Sequence, residues 1–265
     1  KSRDIANSTS TLDVDGGTIK LDGNYPVGTG NVALGDTALD SVEAGGTGNV
    51  AIGANAGTAL TLGDESVAVG FEALLTATTG SENVGIGHSA LKLTTGNSNV
   101  AVGKNALTAN SSASNNTAVG TSALGANTTA SFNTAVGKSA LGANTVGAYN
   151  VAIGQAALEL DTKGSRSTAI GRAALASQNF TSATDAYNTA VGNNAGINVT
   201  TGVQNTLIGA LSGDAITTGG NNVAVGYLSL SANTTASDNV AFGVNALSSN
   251  TTGIQNTALG RSALR

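Results

Sequence analysis

The chain has no cysteine, no methionine and no tryptophan, and a single proline. Without cysteine there is no disulfide framework, no zinc–thiolate site and no thiol nucleophile. Charged residues make up 10% of the 265 and aromatics 3%, too few for an ordinary enzyme cleft or a sugar-binding groove lined with rings. The net charge of −5 leaves no electrostatic footprint for nucleic acid, and the scattered basic residues form no cluster suited to anionic lipid. No apolar run approaches the ~18–20 residues of a membrane-spanning helix, so no membrane insertion is expected.

What is present is a beat. The phrase Asn133-Thr-Ala-Val-Gly-Lys-Ser-Ala-Leu141 returns 17 residues later as Asn150-Val-Ala-Ile-Gly-Gln-Ala-Ala-Leu158. It begins fourteen times, at Asn31, Asn49, Ser66, Asn83, Asn99, Asn116, Asn133, Asn150, Ser167, Asn188, Asn205, Asn222, Asn239 and Asn256. Ten of the thirteen intervals are 17 residues, and the others are 18, 16 and 21. The unit reads N-[VT]-A-[VIL]-G-x-x-A-L-x-x-N-T-T-G-x-x. Low-complexity disorder lacks apolar residues on a fixed period, so the beat argues for an ordered repeat.

Apolar residues at positions two, four, eight and nine fit no 3.6-residue stripe, and 37 glycines are incompatible with long helices. The β-branched residues at two and four favour extended backbone, and the Gly, Asn and Thr elsewhere favour corners. Each unit is therefore expected to run strand, corner, strand, corner. Seventeen residues cannot enclose a core alone, but stacked units can. The predicted fold is an all-β parallel β-solenoid of about fourteen coils, with like residues laddered: Asn133 over Asn150, Ala135, Val136 over Ile153, Gly137 over Gly154, Leu141 over Leu158. At ~4.8 Å per coil the thirteen intervals would give a rod of about 60 Å.

Positions two and four share one strand face, assigned here to the coil interior. The near-invariant Ala at position three is assigned to a face packed closely on another sheet or chain. A core this thin and a face this uniform together imply an oligomer, with a parallel homotrimer the simplest closed form. Residues 29–265 are the solenoid shaft. Residues 1–28, with a hairpin pattern in "TLDVDGGTIKLDGNYP", are expected to form a cap or connector. The closing "RSALR" stops in mid-unit, so the native chain is expected to continue past Arg265.

These motifs resemble two related groups. The N-x-A-[VI]-G core resembles the head repeats of YadA-like trimeric autotransporter adhesins, which form a parallel β-roll. The longer unit, "NTALGRSAL" joined through "NTTG", is similar to repeats of phage tail fibres and of large bacterial surface proteins. The resemblance spans residues 31–265. It implies a homotrimeric fibre, on a virion or a bacterial surface, that attaches a particle or cell to a host receptor or polysaccharide. An ice-binding solenoid is a more distant alternative, suggested by the recurring Thr pairs.

No catalytic group is expected. His88 is the only histidine, and no second His and no Cys could complete a triad. Asp13/Asp15 and Asp64-Glu65 sit in turn-like contexts rather than as the separated carboxylates of a glycosidase. No metal or cofactor is expected either. Any recognition is assigned to the variable sixth position and to the 21-residue interval "ASQNFTSATDAY", expected to bulge from the rod. The candidate residues are Phe71, His88, Lys104, Lys138, Arg172 and Tyr227 at position six, with Phe180 and Tyr187 in the insertion.

Overall fold

A computed structural model describes residues 29–43 and 45–265; the hairpin expected in residues 1–28 lies outside them. The array begins with β1 (Val32–Leu34), β2 (Val50–Ile52), β3 (Val67–Val69), β4 (Val84–Ile86) and β5 (Val100–Val102). It continues with β6 (Thr117–Val119), β7 (Thr134–Val136), β8 (Val151–Ile153), β9 (Gly164–Ser165) and β10 (Thr168–Ile170). β11 (Thr184–Asp185), β12 (Thr189–Val191), β13 (Thr206–Ile208), β14 (Val223–Val225), β15 (Val240–Phe242) and β16 (Thr257–Leu259) complete it. Fourteen of these form one parallel sheet in chain order, and β9 and β11 pair separately. The protein is a parallel β-solenoid with one strand per coil.

Register follows the repeat. Thr134, Ala135 and Val136 pair with Val151, Ala152 and Ile153. Thr168 pairs with Thr189 in the same way, so the four extra residues are absorbed outside the sheet. The second strand expected in every coil is absent, except for the short β9–β11 pair. The remaining segments still bond from coil to coil: Leu141 N–H donates to Ala157 C=O at 3.0 Å, and Thr145 N–H to Thr162 C=O at 2.9 Å. These segments stack without extended dihedrals because they turn through left-handed backbone. Ser139, Leu141 and Tyr149 have φ of 57°, 49° and 60°, as do their counterparts in neighbouring coils.

The strand faces are the reverse of the sequence assignment. Ala135 and Ala152 at position three are fully buried, whereas Ile153 at position four is 38% exposed. Asn at one, Ala at three, Ala at eight and Leu at nine fill the interior; Val, Ile and Thr at two and four point outward. The reason is coil width. At Gly85, the glycine at position three, an added Cβ would sit 3.1 Å from Ala90 C=O in the same coil and 3.4 Å from Leu74 in the preceding one. The opposite wall is so near that a side chain larger than Ala is rarely accommodated at this position.

The exceptions confirm this packing. Position nine is Leu in eleven coils and Gly in three, and both suit left-handed φ for different reasons. Gly has no Cβ to clash, while Leu recovers the ~1–2 kcal/mol of strain by complete burial. Where Gly stands at nine, position twelve becomes large and apolar: Gly57 with Leu60, Gly196 with Val199, Gly213 with Ile216. Leu207, the one Leu at position three, lies between Gly196 and Gly213; a Cβ on either would be 2.6–2.7 Å from it. Volume is conserved across the coil while the residue supplying it changes.

In most other coils position twelve is polar and forms a second buried ladder beside the Asn column. Asn150 N–H donates to Asn133 Oδ1 at 2.9 Å, and Asn133 Nδ2 donates to Gly147 C=O at 2.9 Å. Asn144 Nδ2 donates to Asn127 Oδ1 at 3.1 Å and to Gly147 C=O at 2.9 Å. Each amide thus ties one coil to the next and closes a turn within its own, satisfying buried backbone groups that no strand reaches.

Candidate recognition surface

The strand alternation continues beyond the three sheet residues. Positions one and three face in, so positions 17, two, four and six all lie on the outer surface. Position four is apolar in every coil, and position two is Val in eight and Thr in six. The exposed face of the sheet is therefore an apolar strip running the length of the rod, flanked by a margin of position-six residues and a margin of position-17 residues. Parallel sheets are normally covered on both faces. At about 60 Å by ~10 Å, the strip approaches the ~800 Å² each partner contributes to a stable interface.

The position-six candidates are displayed as expected. Phe71, His88, Lys104, Lys138, Arg172 and Tyr227 are all exposed. The Phe71 and His88 rings meet at 5.3 Å between centroids, and Arg172 donates to Asn194 Oδ1 at 3.2 Å. Next to this margin, Lys92 Nζ lies 2.7 Å from Glu72 Oε2, and that contact holds the Glu72 carboxyl below its ordinary value.

The insertion is anchored rather than protruding throughout. Phe180, expected as a surface recognition residue, is 5% exposed. Its carbonyl accepts from Thr162 Oγ1 at 3.2 Å. Tyr187 is exposed as predicted. Beneath the insertion, Gln178 Nε2 donates to Asp161 Oδ2 at 2.5 Å, Gly164 N–H donates to Asp161 Oδ1 at 2.9 Å, and Asn188 Nδ2 donates to Gln178 Oε1 at 2.8 Å. Asp161 occupies the place of Asn127 and Asn144 in the buried ladder, and burial pushes its carboxyl above the ordinary value.

A further column escaped the sequence reading. Phe132, Tyr149, Arg166 and Tyr187 occupy position 17 of successive coils. Phe132 and Tyr149 stack with planes 3° apart and centroids 5.1 Å apart. The Arg166 guanidinium lies 5.0 Å from the Tyr149 ring centre and 5.9 Å from that of Tyr187, and Arg166 Nε pairs with Asp185 Oδ2 at 3.2 Å. The signal was available in the sequence: the residue before each repeat's first position reads Phe, Tyr, Arg, Tyr over four coils.

The threonine hydroxyls at position 13 are engaged between coils. Thr128, Thr145, Thr200 and Thr217 each donate their hydroxyl to a carbonyl of the next coil at 3.0–3.1 Å. A shallow depression of about 290 Å³ is lined by Ser122, Ser139, Gly142, Ala143, Glu159 and Leu160. Among the described residues no group of acids and histidine is placed to hold a metal ion, and no helix is long and apolar enough to cross a membrane. Comparison with protein-family models, curated proteins and solved structures finds no match.

Proposed function

We propose that the chain is the shaft of a homotrimeric attachment fibre, without enzymatic activity, that carries or contributes contacts to a host cell-surface receptor or polysaccharide. The observation behind this reading is the apolar outer face of the fourteen-stranded sheet, continuous along the rod. A rigid, fully laddered coil gives reach, and a face that must be covered gives a reason for chains to assemble lengthwise. The repeat's likeness to tail-fibre units favours a virion as its location, and a bacterial surface adhesin of the same build is the second reading.

The reassigned faces strengthen the oligomer reading and change its basis. The small Ala at position three serves the chain's own core. The residues that call for a partner are those at two and four.

The test is the mass in solution followed by surface binding. A mass of about three times the 25.5 kDa chain is expected, together with retention of labelled protein on host bacteria and no release of oligosaccharide from their polysaccharide. A single-chain mass would sink the fibre reading, and oligosaccharide release would replace it with a hydrolase.

A further inference from the structure

The apolar strip occupies one wall of the rod, and the opposite wall is built differently. A Cβ at Gly85, on the inner side of the sheet, would meet Ala90 at position eight. Exposed groups at positions seven, ten and eleven therefore lie on the face turned away from positions two and four. A partner that covers the strip leaves this face in water. The depression lined by Ser122, Ser139, Gly142, Ala143, Glu159 and Leu160 lies here, formed by positions seven, ten and eleven of three successive coils.

The sequence opens it. Position ten carries a side chain in twelve coils and none in two, the consecutive Gly125 and Gly142. Neither glycine has left-handed φ. A Cβ on Gly142 would stand 3.2 Å from Ser139 C=O, a contact that a small shift relieves, and Thr58 and Thr108 fill the same place in other coils. The backbone does not call for glycine here; what the two glycines supply is space. Three polar groups border that space without partners. Among the described residues, the hydroxyls of Ser122 and Ser139 and the carboxylate of Glu159 make no hydrogen bond or ion pair within the chain. Ser89, also at position seven, is the contrast: its hydroxyl donates to Glu72 Oε2 at 3.2 Å, and Glu72 is paired with Lys92.

These groups define the ligand they suit. An ionised carboxylate only accepts, so Glu159 calls for a cationic donor, whereas the serine hydroxyls both donate and accept and match other hydroxyls. No lining residue is basic, so an acidic sugar would find no counter-charge. Leu160, 52% exposed, and Ala143 add an apolar side that suits the carbon face of a ring. The volume of about 290 Å³ is at the lower end for small-molecule sites and suits one ring rather than a chain of them. We infer that this depression binds a hydroxylated primary amine, an amino-sugar residue with its amine unacetylated. Its ammonium meets Glu159, its hydroxyls meet Ser122 and Ser139, and its carbon face lies against Leu160 and Ala143. This deepens the attachment reading, on which the assignment of that sugar to a host polysaccharide rests.

Titration calorimetry of the full chain with glucosamine, glucose, N-acetylglucosamine and putrescine tests this. Glucosamine is expected to bind about tenfold more tightly than glucose or N-acetylglucosamine, the increment of one charge-assisted hydrogen bond. Glu159→Gln should bring glucosamine down to the level of glucose. Gly142→Thr, which changes no charge, should abolish binding of both sugars while leaving the melting temperature and the mass in solution as they were. Ser122→Ala with Ser139→Ala, which removes no internal hydrogen bond, should weaken both sugars alike and serves where Gly142→Thr disturbs the fold. Equal binding of glucosamine and glucose to the native chain, or no binding of glucosamine at about 10 mM, would overturn the inference. So would glucosamine binding that survives Gly142→Thr, because the amine would then sit on another acidic side chain. Putrescine bound as tightly as glucosamine would remove the serines' part and with it the sugar. In each of these cases a threefold mass and retention on host bacteria would leave the fibre reading intact. A single-chain mass with glucosamine bound would remove the fibre and leave the site.

Discussion

The pairing of positions nine and twelve predicts a rescue. Leu141 is completely buried, and Leu141→Gly removes its side chain from the stack of leucines that includes Leu124 and Leu158. Emptying a buried Leu site costs about 3–5 kcal/mol. Relief of left-handed strain at φ 49° returns about 1–2 kcal/mol, so the net loss is about 1–4 kcal/mol. Asn144→Leu alone should cost a similar amount. It deprives Gly147 N–H of its 3.1 Å bond to Asn144 Oδ1 and forces a larger side chain against an intact Leu141. Together the two changes recreate the pattern of Gly57 with Leu60, Gly196 with Val199 and Gly213 with Ile216, each of which fills the same space from the other wall. The double variant should therefore be more stable than the sum of the singles by about 2 kcal/mol or more. Urea unfolding of all four proteins, followed by circular dichroism, measures the coupling. Simple additivity would refute the volume exchange on which the description of the core rests.

Replacing Gly137 by Ala should prevent stacking at that coil. Its φ of +134° is closed to other residues, and the new Cβ would lie 2.6 Å from Gly154 backbone; a melting temperature unchanged from the native protein would contradict this. Asp161→Asn should stabilise the protein at neutral pH. The folded carboxyl titrates above its unfolded value, so the native state holds the proton more tightly, and stability present in acid is lost as pH rises through the folded pKa. The Asn variant should lose that slope, and parallel pH profiles for the two proteins would argue against it. Ile153→Asp, on the outer face, should leave the coil's secondary structure in place yet reduce the mass in solution. Unfolding at low concentration would instead return position four to the core.

The architecture was legible because a ladder constrains every coil alike. Fourteen strands begin one residue after each of the fourteen repeat starts, and intervals of 16, 18 and 21 residues leave the register intact. Three things were misread. The expected second strand per coil is missing, because left-handed residues such as Leu141 and Ser139 can ladder without being extended. Phe180 was placed on the surface by its position in an insertion, yet the insertion folds back far enough to bury it. The position-17 column went unnoticed because Phe132, Tyr149 and Arg166 vary in identity, and only stacking makes them one feature.

The deepest difference concerns the strand faces. The period of two, visible in Asn-Thr-Ala-Val, determined by itself that Ala135 opposes Thr134 and Val136. It could not say which side was inside. Hydrophobicity favours burying the larger residues, but the interior had to fit a coil whose walls nearly touch, and Ala fills that place in twelve of the fourteen coils. Tertiary geometry therefore put the smallest apolar residue in the core and left Val and Ile on the outer face.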